Sequence, residues 1–417
     1  MNVSLWISRR LRLGGGGTGS PAAVVIAVAG VALALMVMEF TLAIVVGFKA
    51  GIRDKLTGFD AALSVCSLSV ARDSAVCVDF SPELERVVRS ALPDGATMRL
   101  SVRQPGIVKT DDNFSGVVFL GQSAVGEDGY DFERSNMVEG LWPDFDADSC
   151  RNSIVMSRPL ARSLGLGVGD RVYSTFIIDG AVKMRRHTIA GLYQSNFGEY
   201  DNTVVYASAA GLRSVAGLSD NQAGRLDVRN VGIDDVQQVT VDVRSALIRA
   251  ASDGTLPVFY PVDNVLRSGA MYFNWLALLD TNVVVIFILM LAVAGFTLVS
   301  SLFILILERI PTIGVLRALG ASKSMIRRVF TDMGMRLTLY GMAAGNVLGL
   351  GLLCVQKYTH AVPLNPDMYY LDSVPVVIDV PAMLLLNAGV AVAAWLILTV
   401  PARVAAASDP SRAMSVE

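Results

Sequence analysis

The sequence predicts an α-helical membrane protein with four transmembrane helices in a 1+3 arrangement and a large exported α+β domain between helices 1 and 2. Four segments are apolar over the roughly 20 residues that a helix needs to cross a bilayer. They are residues 21–46, 281–307, 337–356 and 380–402, and their only charged residue is Glu39. The interval between the first two is long enough to form a domain with its own core.

Basic residues near the ends of these segments predict the orientation, because lysine and arginine are retained on the cytoplasmic side of a membrane. The first 20 residues carry three arginines and no acidic residue, and residues 308–336 carry six basic against two acidic residues. We therefore expect a multi-pass membrane protein with both termini cytoplasmic. Residues 47–280 would be periplasmic, and their 29 acidic against 23 basic residues argue against nucleic-acid binding.

The apolar runs and the polar intervals divide the chain into nine segments. In order, we expect a cytoplasmic amphipathic tail (1–20), helix 1 (21–48), a periplasmic α+β domain (49–277), helix 2 (278–307), a cytoplasmic segment (308–330), helix 3 (331–356), a periplasmic loop (357–379), helix 4 (380–402) and a cytoplasmic tail (403–417). Helix 1 is expected to stay uncleaved, because the residues before it lack the apolar core of a signal peptide and its own apolar run is too long for one.

Within the exported region, residues 49–57 look like a continuation of helix 1 into water. Ser81 followed by Pro82 predicts the start of a helix, with the serine as N-cap and the proline in the first turn. A second helix is expected over residues 234–251, followed by a short strand over residues 256–260. The order of elements predicts two βαβ-like halves with a mostly β insertion between them.

The segment 308–330, ERIPTIGVLRALGASKSMIRRVF, separates two apolar spans. Apolar residues such as Ile313, Leu316 and Leu319 recur in it at helical spacing, while arginines and Lys323 form a cationic rim. This pattern predicts an amphipathic helix that a partner at the membrane surface can push. It is equally typical of an interfacial helix that only anchors the chain and fixes its topology.

Glu39 lies at membrane depth, where a carboxyl group is costly and marks a candidate functional site. Two interpretations stay open. The carboxyl contacts the transported substrate, or it is uncharged or faces a polar cavity without such a contact. The apolar residues around it either form an adaptable surface or serve plain packing.

The sequence contains no recognisable catalytic motif. Its two histidines, His187 and His360, belong to no HExxH motif, and there is no CxxC motif. Residues 14–20, GGGGTGS, superficially resemble a phosphate-binding loop but lack the lysine before Ser20, so a flexible linker is predicted. We expect no catalytic residue, no metal and no cofactor in this chain.

Three cysteines, Cys66, Cys77 and Cys150, lie in the exported region, and Cys354 lies in the third span. The exported domain can therefore contain at most one internal disulfide bond. Cys66 and Cys77 are the nearest pair in sequence, but buried free cysteines are also common, and the sequence leaves the choice open.

Several motifs are spread along nearly the whole chain. They are Gly47-Phe48 with IRDKL (52–56) and Gly58-Phe59, LGLGVGD (164–170), Glu199-Tyr200-Asp201, IGVLRALGA (313–321), PDMYY (366–370) and Pro401-Ala402-Arg403 with Asp409-Pro410. Together they resemble the FtsX-like/MacB-like ABC permeases, and within these most closely the transmembrane subunits of lipoprotein-releasing systems (LolC/LolE-like). The 313–321 motif is specific by itself, and the others are specific only in combination.

The resemblance implies that segment 308–330 is a coupling helix that docks into a groove of a separate ATPase. The implied coupling residues are Glu308, Arg309, Ile313, Gly314, Leu316, Arg317, Leu319, Gly320, Ala321 and Arg327. The ATPase subunit, in two copies, would bind ATP and magnesium. The remaining partners would be a second permease copy or a paralogue, the lipoprotein substrate, membrane lipid and a periplasmic lipoprotein chaperone.

By the same resemblance, substrate acyl chains would enter an apolar cleft in the outer half of the bilayer, with helices 1 and 2 as its walls. The implied substrate-contacting residues are Met36, Glu39, Phe40, Ala43 and Ile44. The sequence departs from the family pattern in two places. Pro311-Thr312 replaces residues that are usually basic, so the helix is expected to start near Pro311. The hairpin 176–183 lacks the proline-bearing hook through which one such subunit engages its chaperone.

These features predict the permease subunit of an ABC transporter that extracts lipoproteins from the outer leaflet of the inner membrane, driven by ATP hydrolysis in a separate subunit. MacB-like efflux of peptides or drugs and FtsX-like transmission of force to a cell-wall hydrolase are the alternatives. The size of the exported domain disfavours the second alternative, and the 366–370 loop favours lipoprotein release over efflux. The sequence does not choose between a homodimer and a heterodimer.

Overall fold

A computed structural model describes residues 21–67, 78–122, 131–178 and 180–407. These residues form two compact units. The membrane unit contains the chain up to residue 49, residues 275–363 and the chain from residue 373, and the exported unit contains residues 50–274 and 364–372. The predicted amphipathic tail and Cys77, the proposed disulfide partner of Cys66, lie outside the described residues.

The described residues contain thirteen helices and twelve strands, together with a 3₁₀ helix at Asp148–Cys150. In chain order they are α1 (Pro21–Phe59), β1 (Leu63–Cys66), β2 (Val78–Asp79), α2 (Pro82–Arg89), β3 (Thr97–Lys109), β4 (Phe114–Gln122), α3 (Asp131–Ser135), β5 (Met137–Gly140), β6 (Ser153–Ser157), α4 (Arg158–Leu164), β7 (Arg171–Ile178), β8 (Ala181–Tyr193), α5 (Gly198–Thr203), β9 (Val204–Ser208), α6 (Ala209–Ala216), β10 (Gln222–Ala223), β11 (Arg225–Arg229), α7 (Val236–Ser252), β12 (Val262–Asn264), α8 (Val265–Ser268), α9 (Ala270–Glu308), α10 (Ile310–Ala318), α11 (Lys323–Thr359), α12 (Pro366–Tyr369) and α13 (Val380–Ala407).

Four helices of the described chain, α1, α9, α11 and α13, are long and apolar enough to cross a membrane. This confirms the predicted 1+3 arrangement with a large domain between the first two. All four extend beyond the predicted limits: α1 continues to Phe59, α9 begins at Ala270, α11 begins at Lys323 and α13 continues to Ala407. A helix of 39 residues, such as α1, is about 58 Å long, roughly twice the thickness of the hydrocarbon core, so part of it projects from the bilayer.

A stripe of glycines on α11 packs against α1. Gly341, Gly345 and Gly349 are spaced four residues apart and therefore share one face of the helix. A side chain at Gly341 would meet Val31 at 2.7 Å, and one at Gly345 would lie 2.8 Å from the carbonyl oxygen of Ala32. Small residues drive helix association in lipid because they let backbones approach closely. The stripe therefore sets the distance between α1 and α11.

The exported unit is built on a ten-stranded mixed sheet with the order β12-β1-β11-β3-β4-β9-β6-β8-β5, to which β7 is added between β3 and β8. Because β7 pairs with both β3 and β8, the strands β3, β4, β9, β6, β8 and β7 close into a ring. Its interior is filled by buried apolar side chains, among them Phe119, Ile154 and Phe176. A closed ring leaves no free strand edge among its members.

The strands β1, β11 and β12, which lie outside the ring, form the predicted pair of βαβ-like halves together with the ring strand β3. The first half is β1-α2-β3 and the second is β11-α7-β12, and the ring strands are inserted between them. The predicted strand at residues 256–260 is wrong, because the pairing strand is β12, which pairs with β1. Leu256 and Tyr260 are buried but belong to no β-strand. The neighbouring Pro257 and Pro261 lack the N–H group that a ladder needs.

Replacing Gly345 with valine is expected to push α1 and α11 apart and to lower the free energy of unfolding by about 1–3 kcal/mol, the usual cost of overpacking. Gly351→Val is the matched control, since Gly351 lies on the same helix and a side chain there meets nothing within 4 Å. Thermal unfolding of the full chain in nanodiscs measures both. Equal destabilisation by the two substitutions would show that helix propensity, and not the α1–α11 contact, is responsible.

Candidate functional site

The connection between α9 and α11 contains a break where the sequence predicted one continuous helix over residues 308–330. The helix α10 ends at Ala318, and Gly320 adopts a left-handed conformation with φ of 89°. The N–H of Ala321 donates to the carbonyl of Leu316 at 3.0 Å, and the hydroxyl of Ser322 accepts from the N–H of Met325 as the N-cap of α11. A glycine C-cap and a serine N-cap therefore separate two helices.

The start of α10 agrees with the prediction, because Pro311 occupies its first turn. Ile313 and Gly314 are buried, and Leu316 turns inward, where it lines a small cavity together with Ile326. The large apolar side chains exposed here are Val315 of α10, which is 61% exposed, and its C-cap residue Leu319, which is 80% exposed. Val315 is not among the predicted coupling residues.

The other predicted coupling residues lie on both sides of this break. Glu308, Arg309, Arg317 and Ala321 are half-buried, while Gly320 and Arg327 are exposed. Exposed Lys323 and Arg328 accompany Arg327 on the first turns of α11. The described connection thus presents two large exposed apolar side chains, four residues apart, beside a cationic helix start. We call Val315 and Leu319 the α10 face.

The membrane unit contains an apolar cleft of about 460 Å³ between α1, α9 and α13. Its lining has no charged side chain and no side chain with a hydrogen-bonding group. The lining residues are Met38, Leu42, Phe287, Ile288, Leu291, Ala382, Leu385, Leu386, Gly389 and Val390. Two of its walls, α1 and α9, are those implied by the resemblance, and α13 is a third wall that the sequence did not indicate.

The α1 and α9 walls are held together near one end of the cleft. Lys49 Nζ pairs with Asp280 Oδ1 at 2.5 Å, and the rings of Phe48 and Trp275 meet edge to face at 5.5 Å. The ion pair is partly exposed, so its own contribution to stability is small. Together the two contacts close the gap between α1 and α9 at this end of the cleft.

None of the five predicted substrate-contacting residues lines this cleft. Ala43 is 1% exposed and packs with Leu353 of α11 and Met383 of α13, with Phe40 beside them. Met36 and Ile44 are half-buried. Residues four apart share a helix face, so Met38 and Leu42 face the cleft together while the predicted residues lie on other sides of α1.

Glu39 is fully buried among the spans. Its Oε1 lies 3.5 Å from Nδ2 of Asn387 on α13, and its Oε2 lies against Gly349 of α11. Of the two interpretations left open by the sequence, the structure therefore favours a polar environment without exposure to the cleft. Asn346 and Asn387, the amides of that environment, carry no sequence pattern that marks them.

In the exported unit, the 52–56 motif meets the 366–370 motif, although the two are far apart in sequence. Lys55 donates to the carbonyls of Ser195 and Tyr370 at 2.7 Å and 2.6 Å. The Tyr370 ring lies 5.0 Å from the ring of Phe197 and 5.9 Å from that of Tyr272. The loop that begins at Tyr370 of the Tyr-Tyr motif is thereby fastened to the loop that precedes α5.

Asp201, of the Glu-Tyr-Asp motif, organises that second loop. Its carboxylate accepts hydrogen bonds from the N–H and the hydroxyl of Ser195 and from the N–H of Asn196. Burial raises the pKa of Asp201, although these hydrogen bonds act in the opposite direction. Asn196 in turn donates to Asp372 at 2.6 Å, which adds a second fastening between the two loops.

The two histidines differ in exposure, since His187 is buried and His360 is exposed. His187 is 5% exposed inside the strand ring, where Nδ1 pairs with the Ser174 hydroxyl at 2.9 Å and the imidazole packs near Phe119. Burial, with a smaller effect of Arg185, lowers its pKa from 6.5 to about 4. Among the described residues, no group of three or more histidine, cysteine, aspartate or glutamate side chains could hold a metal ion.

The β7–β8 hairpin is short, as the sequence predicted, since Ile178 already pairs with Ala181. Its outward face carries exposed apolar side chains, including Ile177, Val182 and Met184. Their exposure distinguishes this face of the ring from the buried one. A proline-bearing extension of the hairpin is absent from this part of the chain, for β7 and β8 continue almost to the turn.

The buried His187 predicts that acid destabilises the exported unit. Between pH 6.5 and about 4, the unfolded chain binds a proton that the folded chain does not. Stability therefore falls as the pH falls through this range, by up to about 3 kcal/mol. Hydrogen exchange of β7 and β8 in the full chain measures the effect. We expect His187→Leu to flatten the dependence and the exposed His360→Leu to retain it; equal slopes in wild type and His187→Leu would contradict the prediction.

Comparison with known proteins identifies relatives over most of the chain. Residues 284–410 match the FtsX-like permease C-terminal family. The chain is 25% identical over 402 residues to the lipoprotein-releasing system transmembrane protein LolC of Xylella fastidiosa (strain 9a5c), a match that covers 91% of each protein. It is 24% identical over 279 residues to the protein of the same name from Neisseria meningitidis serogroup B (strain MC58), covering 63% of this chain and 65% of that one.

Among solved structures, the periplasmic region of MacB from Actinobacillus actinomycetemcomitans is similar to the chain, with 11% identity and a TM-score of 0.33. The match covers 51% of this chain and 92% of that structure. The chain is thus similar to lipoprotein-releasing transmembrane proteins along nearly its whole length, and the FtsX-like match lies within the part that contains the last three spans.

Proposed function

We propose that this chain, a homologue of the LolC and LolE transmembrane proteins with an FtsX-like permease C-terminal domain, is the membrane subunit of an ATP-driven transporter that extracts lipoproteins from a bacterial inner membrane. The observation that carries the proposal is the apolar cleft between α1, α9 and α13. A cleft without a single polar side chain suits the acyl chains of a lipoprotein. The similarity to LolC over 91% of the chain supports the same substrate class.

Extraction has to overcome about 0.8 kcal/mol for each methylene group that leaves the bilayer. An apolar cleft offsets part of this cost, because the acyl chains exchange one apolar environment for another. The transfer of a multiply acylated protein out of the leaflet still requires work. The chain has no complete phosphate-binding loop, so ATP and magnesium would be bound by a separate ATPase subunit.

The α10 face is the proposed docking site for that ATPase. Val315 and Leu319 are exposed apolar side chains on a segment whose neighbours Lys323, Arg327 and Arg328 are basic. An apolar anchor surrounded by charges is the usual composition of a protein interface. The excess of basic residues here also supports a cytoplasmic location for this segment and for both termini. The exported unit would then be periplasmic.

The full machine needs further chains. Two ATPase copies and a second permease, either a copy of this chain or a paralogue, would complete a symmetric transporter. A periplasmic chaperone would receive the lipoprotein. The exposed apolar side chains on the β7–β8 hairpin, such as Ile177 and Val182, are available for such a contact, although the hairpin has no extended hook.

MacB-like efflux of peptides or drugs remains the second candidate function. The MacB-like form of the exported domain is compatible with it, but the uniformly apolar cleft favours lipid chains over peptides. Transmission of force to a cell-wall hydrolase would need no cleft. The occupant of the cleft therefore separates the three functions.

Substituting Val315 or Leu319 with aspartate is expected to weaken ATPase binding about 100-fold, because a buried unpaired charge costs a few kcal/mol. Partner-stimulated ATP turnover should fall with it, while the purified chain alone hydrolyses no ATP. Ser324→Asp is the control, since it adds the same charge to the same connection, off the α10 face. Binding and turnover at wild-type levels in Val315→Asp and Leu319→Asp would refute the docking role.

Photocrosslinkers placed at Leu42 and Leu386, on two walls of the cleft, are expected to capture a triacylated lipoprotein in reconstituted membranes. ATP together with the partner ATPase should diminish the signal, because extraction empties the cleft. Leu33, which is 58% exposed on α1 and does not line the cleft, is the control position and should capture bulk lipid only.

Crosslinks at Leu42 and Leu386 to soluble peptides or drugs would support efflux instead. The absence of any substrate crosslink, together with copurification of a cell-wall hydrolase, would support force transmission. Leu386→Asp gives an independent measure, since a charge in the cleft should abolish lipoprotein release while the subunits still assemble.

A further inference from the structure

Glu39, Asn346 and Asn387 form a buried polar cluster that joins three spans. Asn346 Nδ2 donates to Asn387 Oδ1 at 2.8 Å, and Asn387 Nδ2 donates to Asn346 Oδ1 at 3.1 Å. Asn387 Nδ2 also donates to the Met383 carbonyl of its own helix at 3.0 Å and lies 3.5 Å from Glu39 Oε1, so its two hydrogens are shared among three acceptors. These residues belong to α1, α11 and α13. In the described chain no other side-chain hydrogen bond connects α1 to α13.

The cluster is shaped to receive the Glu39 carboxyl. Its Oε2 lies against Gly349, in the space that a side chain at that position would occupy. Neither solvent nor the cleft reaches Glu39, which is 0% exposed, and its Oε2 has no hydrogen-bond partner among the described residues. A buried polar group in a span is costly and is retained where it has a role.

This cluster lies directly behind the cleft. Met38, which precedes Glu39 on α1, lines the cleft, and so does Leu386, which precedes Asn387 on α13. The side chains of Glu39 and Asn387 therefore meet behind Met38 and Leu386, which line the cleft. A change in the separation of these two walls therefore changes the distance between Glu39 and Asn387.

The hydrogen bonds in the cluster differ in strength. The two bonds between Asn346 and Asn387 have ordinary lengths, whereas the contact of Asn387 with Glu39 is at the limit of a hydrogen bond. A small outward movement of α1 breaks the contact with Glu39 and leaves the amide pair intact. Within this cluster the amide pair is the stronger link, so α11 and α13 form the fixed wall, and the link from α13 to α1 is the weaker one.

We propose that Glu39 is a positioning residue that sets the width of the cleft through its hydrogen bond to Asn387 and does not contact the substrate. The proposal rests on the proposed function only for the identity of the cleft's occupant. The spacing role itself is a property of the empty permease. It can therefore be tested without a lipoprotein or an ATPase.

The test measures the distance between α1 and α13 by electron spin resonance of the full chain in lipid nanodiscs. Spin labels are placed at Leu33 and Val392, which are 58% and 59% exposed, in a background in which the native cysteines are serines. A second label pair, at Leu348 on α11 and Val392, reports whether the fixed wall is intact. The variants are Glu39→Met, Glu39→Gln and Asn387→Leu. Thr41→Val is the matched control, because the Thr41 hydroxyl bonds only to its own helix, at Val37.

Glu39→Met is expected to reduce the population with the short Leu33–Val392 distance roughly threefold, the effect of one interhelical hydrogen bond in a membrane. The Leu348–Val392 distance should not change in this variant. Glu39→Gln, which keeps an acceptor for Asn387, and Thr41→Val should resemble the wild type. Asn387→Leu should widen both distances, since it removes both connections.

Photoactivatable palmitate gives a second readout, because a wider cleft should change its labelling of the peptide that contains Leu386. An unchanged Leu33–Val392 distance in Glu39→Met would overturn the proposal. A Glu39→Gln distance as wide as that of Glu39→Met would also overturn it, since the negative charge and not the hydrogen bond would then be required. If the distances follow the expected pattern but no lipoprotein crosslinks at Leu42 or Leu386, the spacing role stands and the proposed function fails.

Discussion

The membrane unit depends on the close approach of α1 to α11. In lipid, apolar side chains gain nothing by leaving their surroundings for one another, so helices associate through tight packing and a few hydrogen bonds. The stripe of Gly341, Gly345 and Gly349 supplies the packing, and the space at Gly349 admits the Glu39 carboxyl. One face of α1 is committed to this contact. The adjacent face, with Met38 and Leu42, is left to form the cleft.

The number, order and approximate position of the spans could be predicted because each span is a continuous apolar run, a signal carried by local sequence. The break in the α9–α11 connection was missed although its signals were local too. Gly320 followed by Ser322 is a helix stop and a helix start within three residues. Periodicity read across the break placed Leu316 on the outer surface, where the structure places Val315.

The residues that line the cleft were harder to predict from the sequence, because they depend on which faces of separate helices meet. Several side chains of α1 lie at membrane depth. Sequence spacing gives the angle between Phe40 and Leu42 around the helix axis, but not which of them faces α9. The third wall, α13, and the amides Asn346 and Asn387 have no local signature at all. In the exported unit, the sequence shows the Glu-Tyr-Asp and Tyr-Tyr motifs, yet only the tertiary fold shows that Lys55 joins Tyr370 to Ser195, in the loop that Asp201 holds.

The connectivity of the membrane unit suggests how work done at α10 would reach the cleft. The short helix α10 joins the end of α9, one wall of the cleft, to the start of α11, which holds the other two walls through the glycine stripe and the Asn346–Asn387 pair. Ile313 and Gly314 bury one side of α10 against the same apolar core, so the helix cannot tilt without moving its neighbours. A partner that displaces the α10 face therefore shifts α9 relative to α11. Since α1 is fastened to α13 by the weakest bond of the cluster, such a shift acts first on the spacing of the cleft.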